Sequence, residues 1–300
     1  MGHRVSWRWG GPGLGPWPVI DTHAYDVPLS RKVPGLSGAR PALGATDPAV
    51  QQREAARLSD LLEDMDRARV TTSLVVLQEE IGEFFRLAAQ HPGRLYGLAN
   101  YDSLSPRRGL EQLQELCDGH PALILGVATA FPCFQQDPRL KDFVPLYEYC
   151  ARRGLPVQFQ MGGELAGGEA ARPIAFGVLA RTYPPLKVVC RCTGGWPGEM
   201  PGLLRRFPNL YLQVEARDAA ETEKKGEPRT LRALLRAVGS RKVMFGSGWR
   251  GREANYAQRV EAVRRLPWWQ RRNVGWRTAA FVYGPRILGK WTMETGNRRD

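Results

Sequence analysis

Three hundred residues with 43% hydrophobic content suffice for a sizeable core, and the length sits near that of an α/β barrel without separating one domain from two. The net charge of +13 is spread over arginine pairs such as Arg205-Arg206, Arg264-Arg265 and Arg271-Arg272, with no basic tract and no nucleic-acid motif, so solvated surfaces and no nucleic acid are expected, while a small-molecule acidic substrate stays open. No run approaches the roughly 20 apolar residues that cross a bilayer, so no membrane partner is expected and a cytoplasmic protein is the default; the five cysteines form no regular framework and are expected to be reduced.

Residues 1–17, rich in Gly, Trp and Pro, read as an irregular arm. The first strand is Val19-Ile20-Asp21-Thr22, ending in His23-Ala24-Tyr25. The Pro- and Gly-rich stretch 26–49 is a long loop that, in a barrel, lies over the mouth as a candidate lid. Over 51–69, Ala55, Leu58, Leu61, Leu62, Met65 and Ala68 recur at three- and four-residue steps, which makes one buried helical stripe. Further apolar, β-rich runs are centred on 73–77, 95–99, 123–127, 156–159, 186–190, 210–214 and 242–246. Helical periods fill about 79–90, 106–117, 140–153, 172–183, 198–206, 228–238 and 252–266, a closing helix spans 270–283, and 291–300 reads as a basic tail. Eight strands each followed by a helix are the count for a (β/α)8 TIM barrel over 18–290. An open doubly wound sheet is the alternative, but the Gly-x-Gly-x-x-Gly turn it needs after the first strand is missing.

Besides Ile20-Asp21-Thr22-His23, the chain carries Met65-Asp66-Arg67-Ala68-Arg69-Val70, Pro92-Gly93-Arg94-Leu95-Tyr96-Gly97, Gly154-Leu155-Pro156-Val157-Gln158-Phe159-Gln160-Met161-Gly162, Tyr183-Pro184 leading to Gly194-Gly195, and Phe245-Gly246-Ser247-Gly248. Taken in this order, these segments resemble those of the amidohydrolase-related family, the superfamily branch that holds hydrolases and aromatic-acid decarboxylases. The resemblance implies the barrel, and a hydrolase or carbon–carbon lyase working at its mouth. In that family the metal ligands are the two His of His-x-His, a His on the fifth barrel strand, often a His on the sixth, and an Asp ending the eighth. By position these fall on His23, Tyr25, Gln160, Cys192 and Gly248, of which only His23 keeps the ligand type. The resemblance therefore implies a degenerate metal site, and no metal ligand and no cofactor are expected. Zinc on a rebuilt set of His23, Cys190 or Cys192 and Glu215 is disfavoured, because Cys-x-Cys is a tight span for two ligands and no fourth partner is evident.

Period two places Asp21, His23 and Tyr25 on one side of their strand, Gln158 and Gln160 on one side of theirs, and Gln213, Glu215 and Arg217 likewise. If those sides face the interior, the mouth is polar. His23, whose unperturbed pKa of about 6.5 suits proton transfer, is the first catalytic candidate, with Glu215 as a second proton carrier and Tyr25 as donor to a developing oxyanion. Asp21, Gln160, Arg191, Cys192, Arg217, Trp249 and Arg250 are the substrate-binding candidates. Among these the three arginines suit a carboxylate, Trp249 suits an aromatic wall, and Cys192 is a nucleophile only if it meets His23. The expected function is a metal-independent hydrolase or decarboxylase-type lyase for a small carboxylated substrate, aromatic or lactone-like. The alternative is a catalytically inactive barrel serving as a ligand-binding or scaffolding subunit. Assembly as a homo-oligomer is compatible with either.

Overall fold

The computed structural model describes residues 6–7, 18–25, 58–78, 81–102, 105–129, 139, 141–161, 173–192, 198–215, 231–249, 255–288 and 293–294. A two-residue strand, β1 (Ser6–Trp7), precedes the eight strands of a parallel sheet: β2 (Ile20–Tyr25), β3 (Thr72–Leu77), β4 (Leu95–Asn100), β5 (Ile124–Thr129), β6 (Val157–Met161), β7 (Val188–Cys192), β8 (Leu210–Val214) and β9 (Val243–Phe245). Each pairs with the next in sequence order, so all eight expected strands are present and in the expected topology. β3 and β8 are buried throughout, as strands covered on both faces must be, and their sequences accordingly run Thr-Ser-Leu-Val-Val-Leu and Leu-Tyr-Leu-Gln-Val.

The sheet closes into a barrel where Ala24 bridges Trp249 and the Thr22 hydroxyl donates to the Phe245 carbonyl at 2.6 Å. Alternation then sorts side chains into two layers. Leu74, Val76, Leu98, Val189, Tyr211 and Met244 form the interior cluster, whereas Val75, Leu77, Val188, Cys190, Leu212 and Phe245 pack against the surrounding helices. Those helices are α1 (Leu58–Arg67), α2 (Ile81–Gln90), α3 (Pro106–Gly119), α4 (Val144–Arg153), α5 (Pro173–Thr182), α6 (Met200–Arg206), α7 (Leu231–Val238) and α8 (Tyr256–Arg264). The stripe expected for the first of them is seen in α1, where Leu58, Leu61, Leu62 and Met65 are buried.

The closing helix departs from a single regular rod. It is built as α9 (Trp268–Arg272), a π-helical turn over Asn273–Arg277, and α10 (Thr278–Tyr283). The wider turn shifts the helical phase, so that Val274 joins the outer core while Trp276, Ala279, Val282 and Tyr283 enter the interior cluster and plug the barrel. The arm and the tail, expected to be irregular, meet: β1 pairs antiparallel with β10 (Met293–Glu294) in the register Ser6 with Glu294 and Trp7 with Met293. The candidate lid, 26–49, lies outside the described residues. Among the described residues no helix is long and apolar enough to cross a membrane.

Candidate active site at the barrel mouth

Because the strands are parallel, their C-terminal ends converge on one face of the barrel, and register decides which side chains share a level there. Gln160 of β6 stands beside Arg191 of β7, and Arg191 beside Gln213 of β8. Glu215 follows one strand repeat further on the same side as Gln213. Arg191 Nη1 donates to Gln160 Oε1 at 2.9 Å, and Nη2 donates to Glu215 Oε1 in a buried ion pair. Arg191 is 1% exposed and Glu215 5%, so neither charge keeps its water. Such a pair offsets its desolvation only through mutual contact, and removing one partner strands the other.

The glycines of the Phe245-Gly246-Ser247-Gly248 segment make room for this group. A Cβ at Gly246 would run into the Gln213 amide, and one at Gly248 into Glu215, with Arg191 Nη2 only 3.0 Å away. Gly248 also has φ of +64°, a conformation side chains disfavour. One level below, Gln158 Nε2 is within donor range of the Thr22 carbonyl at 3.4 Å, Gln213 Oε1 at 3.3 Å and the Tyr283 hydroxyl at 3.3 Å. Burial raises the Tyr283 phenol, and the Gln158 bond pulls it partly back.

Asp21 takes a different course. Its carboxylate accepts from the Ser247 amide at 2.7 Å, the Ser247 hydroxyl at 2.5 Å and the Tyr256 hydroxyl at 3.3 Å. Tyr256, enclosed on α8, has its phenol held well above the ordinary range, first by burial and then by Asp21. Trp249 is joined to the same knot: its amide donates to the Ser247 hydroxyl at 2.9 Å and its indole to Asp64 Oδ2 on α1 at 2.8 Å. Arg259 Nη1 caps the Ser247 carbonyl. Of the sequence candidates, Gln160, Arg191 and Glu215 are thus brought into direct contact. Asp21 and Trp249 belong to a second network at the seam between β2 and the end of β9.

Ser247, Tyr256, Arg259 and Asp64 escaped the sequence reading. The Phe-Gly-Ser segment pointed at Ser247, but nothing local marks an α8 tyrosine as the partner of Asp21. His23 and Tyr25 lie on β2 and Cys192 ends β7, but their side chains fall outside the described residues, as do Arg217 and Arg250 altogether. The disfavoured zinc set drew on Cys190 or Cys192, of which only the Cys190 side chain lies among the described residues. Cys190 packs in the outer layer against the helices, because Arg191 takes the inward position on that strand. A groove of about 800 Å³ lies away from these residues, between the end of α1 and the faces of α7 and α8.

The family profile described as amidohydrolase matches residues 20–284. No curated protein matches the chain. Among solved structures, the chain is similar to 5-carboxyvanillate decarboxylase from Sphingomonas paucimobilis, with a TM-score of 0.59 at 16% identity, covering 89% of this chain and 98% of that one. It is similar to 2,6-dihydroxybenzoate decarboxylase from Rhizobium, with a TM-score of 0.58 at 13% identity over 89% and 98% of the two chains. It is also similar to 5-carboxyvanillate decarboxylase from Novosphingobium aromaticivorans, with a TM-score of 0.57 at 13% identity over 89% and 96%. At these identities the likeness carries the fold.

That last protein was crystallised with manganese and 4-hydroxy-3-methoxy-5-nitrobenzoic acid. The expectation of no cofactor is corrected by this: solved neighbours of the same fold hold manganese, which points to a metal cofactor. The described residues do not by themselves fit a divalent ion. No group of three or more His, Cys, Asp or Glu comes together among them, Asp21 is held by Ser247 and Tyr256, and Glu215 faces the guanidinium of Arg191.

Proposed function

This chain belongs to the amidohydrolase family, and from that membership we propose that its barrel mouth is the site of a hydrolase or decarboxylase-type lyase acting on a small aromatic carboxylate. The observation that carries the reading is Arg191, a guanidinium buried at the interior end of β7 and flanked by Gln160 and Glu215 from the adjoining strands. A buried fork of parallel N–H donors is the group that grips a carboxylate with geometric selectivity. The neighbours named above, whose substrates are carboxylated phenols, support the choice of substrate class.

In this reading Arg191 holds the substrate carboxylate, and Arg217 and Arg250, which follow β8 and β9 in the sequence, are further candidate cations. Glu215 and His23 carry protons to and from the reacting carbon or leaving group, and Tyr25 donates to the oxygen on which negative charge grows. Gln160 fixes the plane of the Arg191 guanidinium. Asp21 and Trp249 act at one remove, by holding the segment that carries Gly248.

The test is turnover of 2,6-dihydroxybenzoate, 5-carboxyvanillate and simple aryl esters by the purified full chain, with and without added manganese. Turnover of at least one is expected, with Arg191→Lys lowering kcat/KM by about 100-fold, the equivalent of losing a charge-assisted hydrogen bond. If none of these is turned over under either condition, the non-catalytic barrel takes the place of the enzyme.

A further inference from the structure

We propose that Glu215 stands in for a substrate carboxylate on Arg191, so that substrate binds by exchanging with Glu215 while Gln160 stays on the other terminal nitrogen. The inference rests on the carboxylate-site reading above and goes further: it makes Glu215 an internal competitor as well as a proton carrier.

The geometry points to this because the two terminal nitrogens of Arg191 take oxygens from different strands. Nη1 bonds Gln160 Oε1 at 2.9 Å and Nη2 bonds Glu215 Oε1, so both arms of the fork are already filled, one of them by a carboxylate. Burial then sets the rule of entry. Arg191 is almost wholly enclosed, so an incoming carboxylate reaches its fork only by displacing one of these side chains. Gln160 is the partly exposed member of the three and marks the side from which the approach is made.

Charge decides which ligands are admitted. Exchanging one carboxylate for another keeps an anion on the buried guanidinium, whereas a neutral ligand that displaced Glu215 would take away the anion of this buried pair, a costly change. The site is therefore selective for the anion over its amide or ester. Gly248 serves the same arrangement: with no side chain, it gives Glu215 the room it occupies while docked on Arg191.

Calorimetric titration of the full chain with benzoate and with benzamide tests the exchange. Wild type is expected to bind benzoate and not benzamide. Glu215→Gln, which removes the competing charge, is expected to bind benzoate about tenfold more tightly while losing turnover. If wild type binds benzoate but Glu215→Gln binds it equally or more weakly, Glu215 is a fixed partner and the exchange is wrong, although the carboxylate site stands. If benzoate binds to neither, the carboxylate-site reading itself falls, and the exchange with it. Should circular dichroism show Glu215→Gln unfolded, Glu215→Asp decides: the retracted carboxylate is expected to tighten benzoate about threefold, and unchanged or weaker binding overturns the proposal.

Discussion

Gly154 and Gly248 both adopt left-handed backbone, with φ of +66° and +64°, but only one of them is crowded. At Gly154, which ends α4, a Cβ meets nothing within 4 Å. Gly154→Ala should therefore cost only the backbone penalty, about 1 kcal/mol. At Gly248 the same methyl group collides with Glu215 and crowds Arg191, so Gly248→Ala should cost about 2–4 kcal/mol, because it also disturbs the ion pair. Urea denaturation of the two variants measures the difference, and equal losses would show that the pair yields freely. Strand parity made Gln158, Gln160, Gln213 and Glu215 legible in the sequence as a group facing one way. Their partnerships were not legible. That Glu215 meets Arg191 depends on the register of two adjoining strands, and that Asp21 meets Ser247 across 226 residues depends on barrel closure; no local pattern encodes either.

Among the elements, the closing helix carries the clearest energetic consequence. Trp276 is 1% exposed and projects from the π-helical turn into the barrel interior beside Ala279 and Val282. Trp276→Ala should destabilise the protein by about 3–5 kcal/mol, with transfer and cavity contributions adding. Tyr283→Phe keeps the ring and removes only the acceptor for Gln158, so a loss of about 1 kcal/mol is expected. Thermal melts of both variants distinguish a packed plug, in which the first loss far exceeds the second, from a loosely docked helix, in which both are small. The strands were the readable elements because burial on two faces leaves short, largely apolar runs. The closing helix was readable as a helix but not as one containing a π-helical turn. That turn answers to the shape of the cavity it fills, and Asn273-Val274-Gly275-Trp276-Arg277 gives no periodic sign of it.

At the scale of the whole molecule, buried acids that keep their protons set the alkaline limit. Burial, reinforced by Asp118, pushes the Cys117 thiol from 9.0 up to about 12, and burial likewise raises Cys150, Tyr149, Tyr256 and Tyr283. For a group whose folded pKa is raised, the stabilisation is complete below the unfolded value and is lost as pH climbs through the folded one. Lys187 and Lys242, lowered by burial, act in the opposite sense, since their penalty fades as pH rises toward 10.5. The raised groups prevail, so the urea midpoint should fall between about pH 8 and 11, and Cys117→Ala with Cys150→Ala should flatten the first part of the fall. A midpoint that stays constant over this window would show that the thiols and phenols titrate as they do in water. The seam of the barrel has a consequence for how the molecule comes into being. Thr22 and Phe245, whose bond helps join the last strand to the first, are 223 residues apart, so the closing contact is among the most distant in the chain. During synthesis the edge of β2 waits unpaired until β9 has emerged, which makes assembly slow and leaves a sticky strand edge to be shielded in the meantime. A chain cut short before β9 keeps two open edges and has no way to close them.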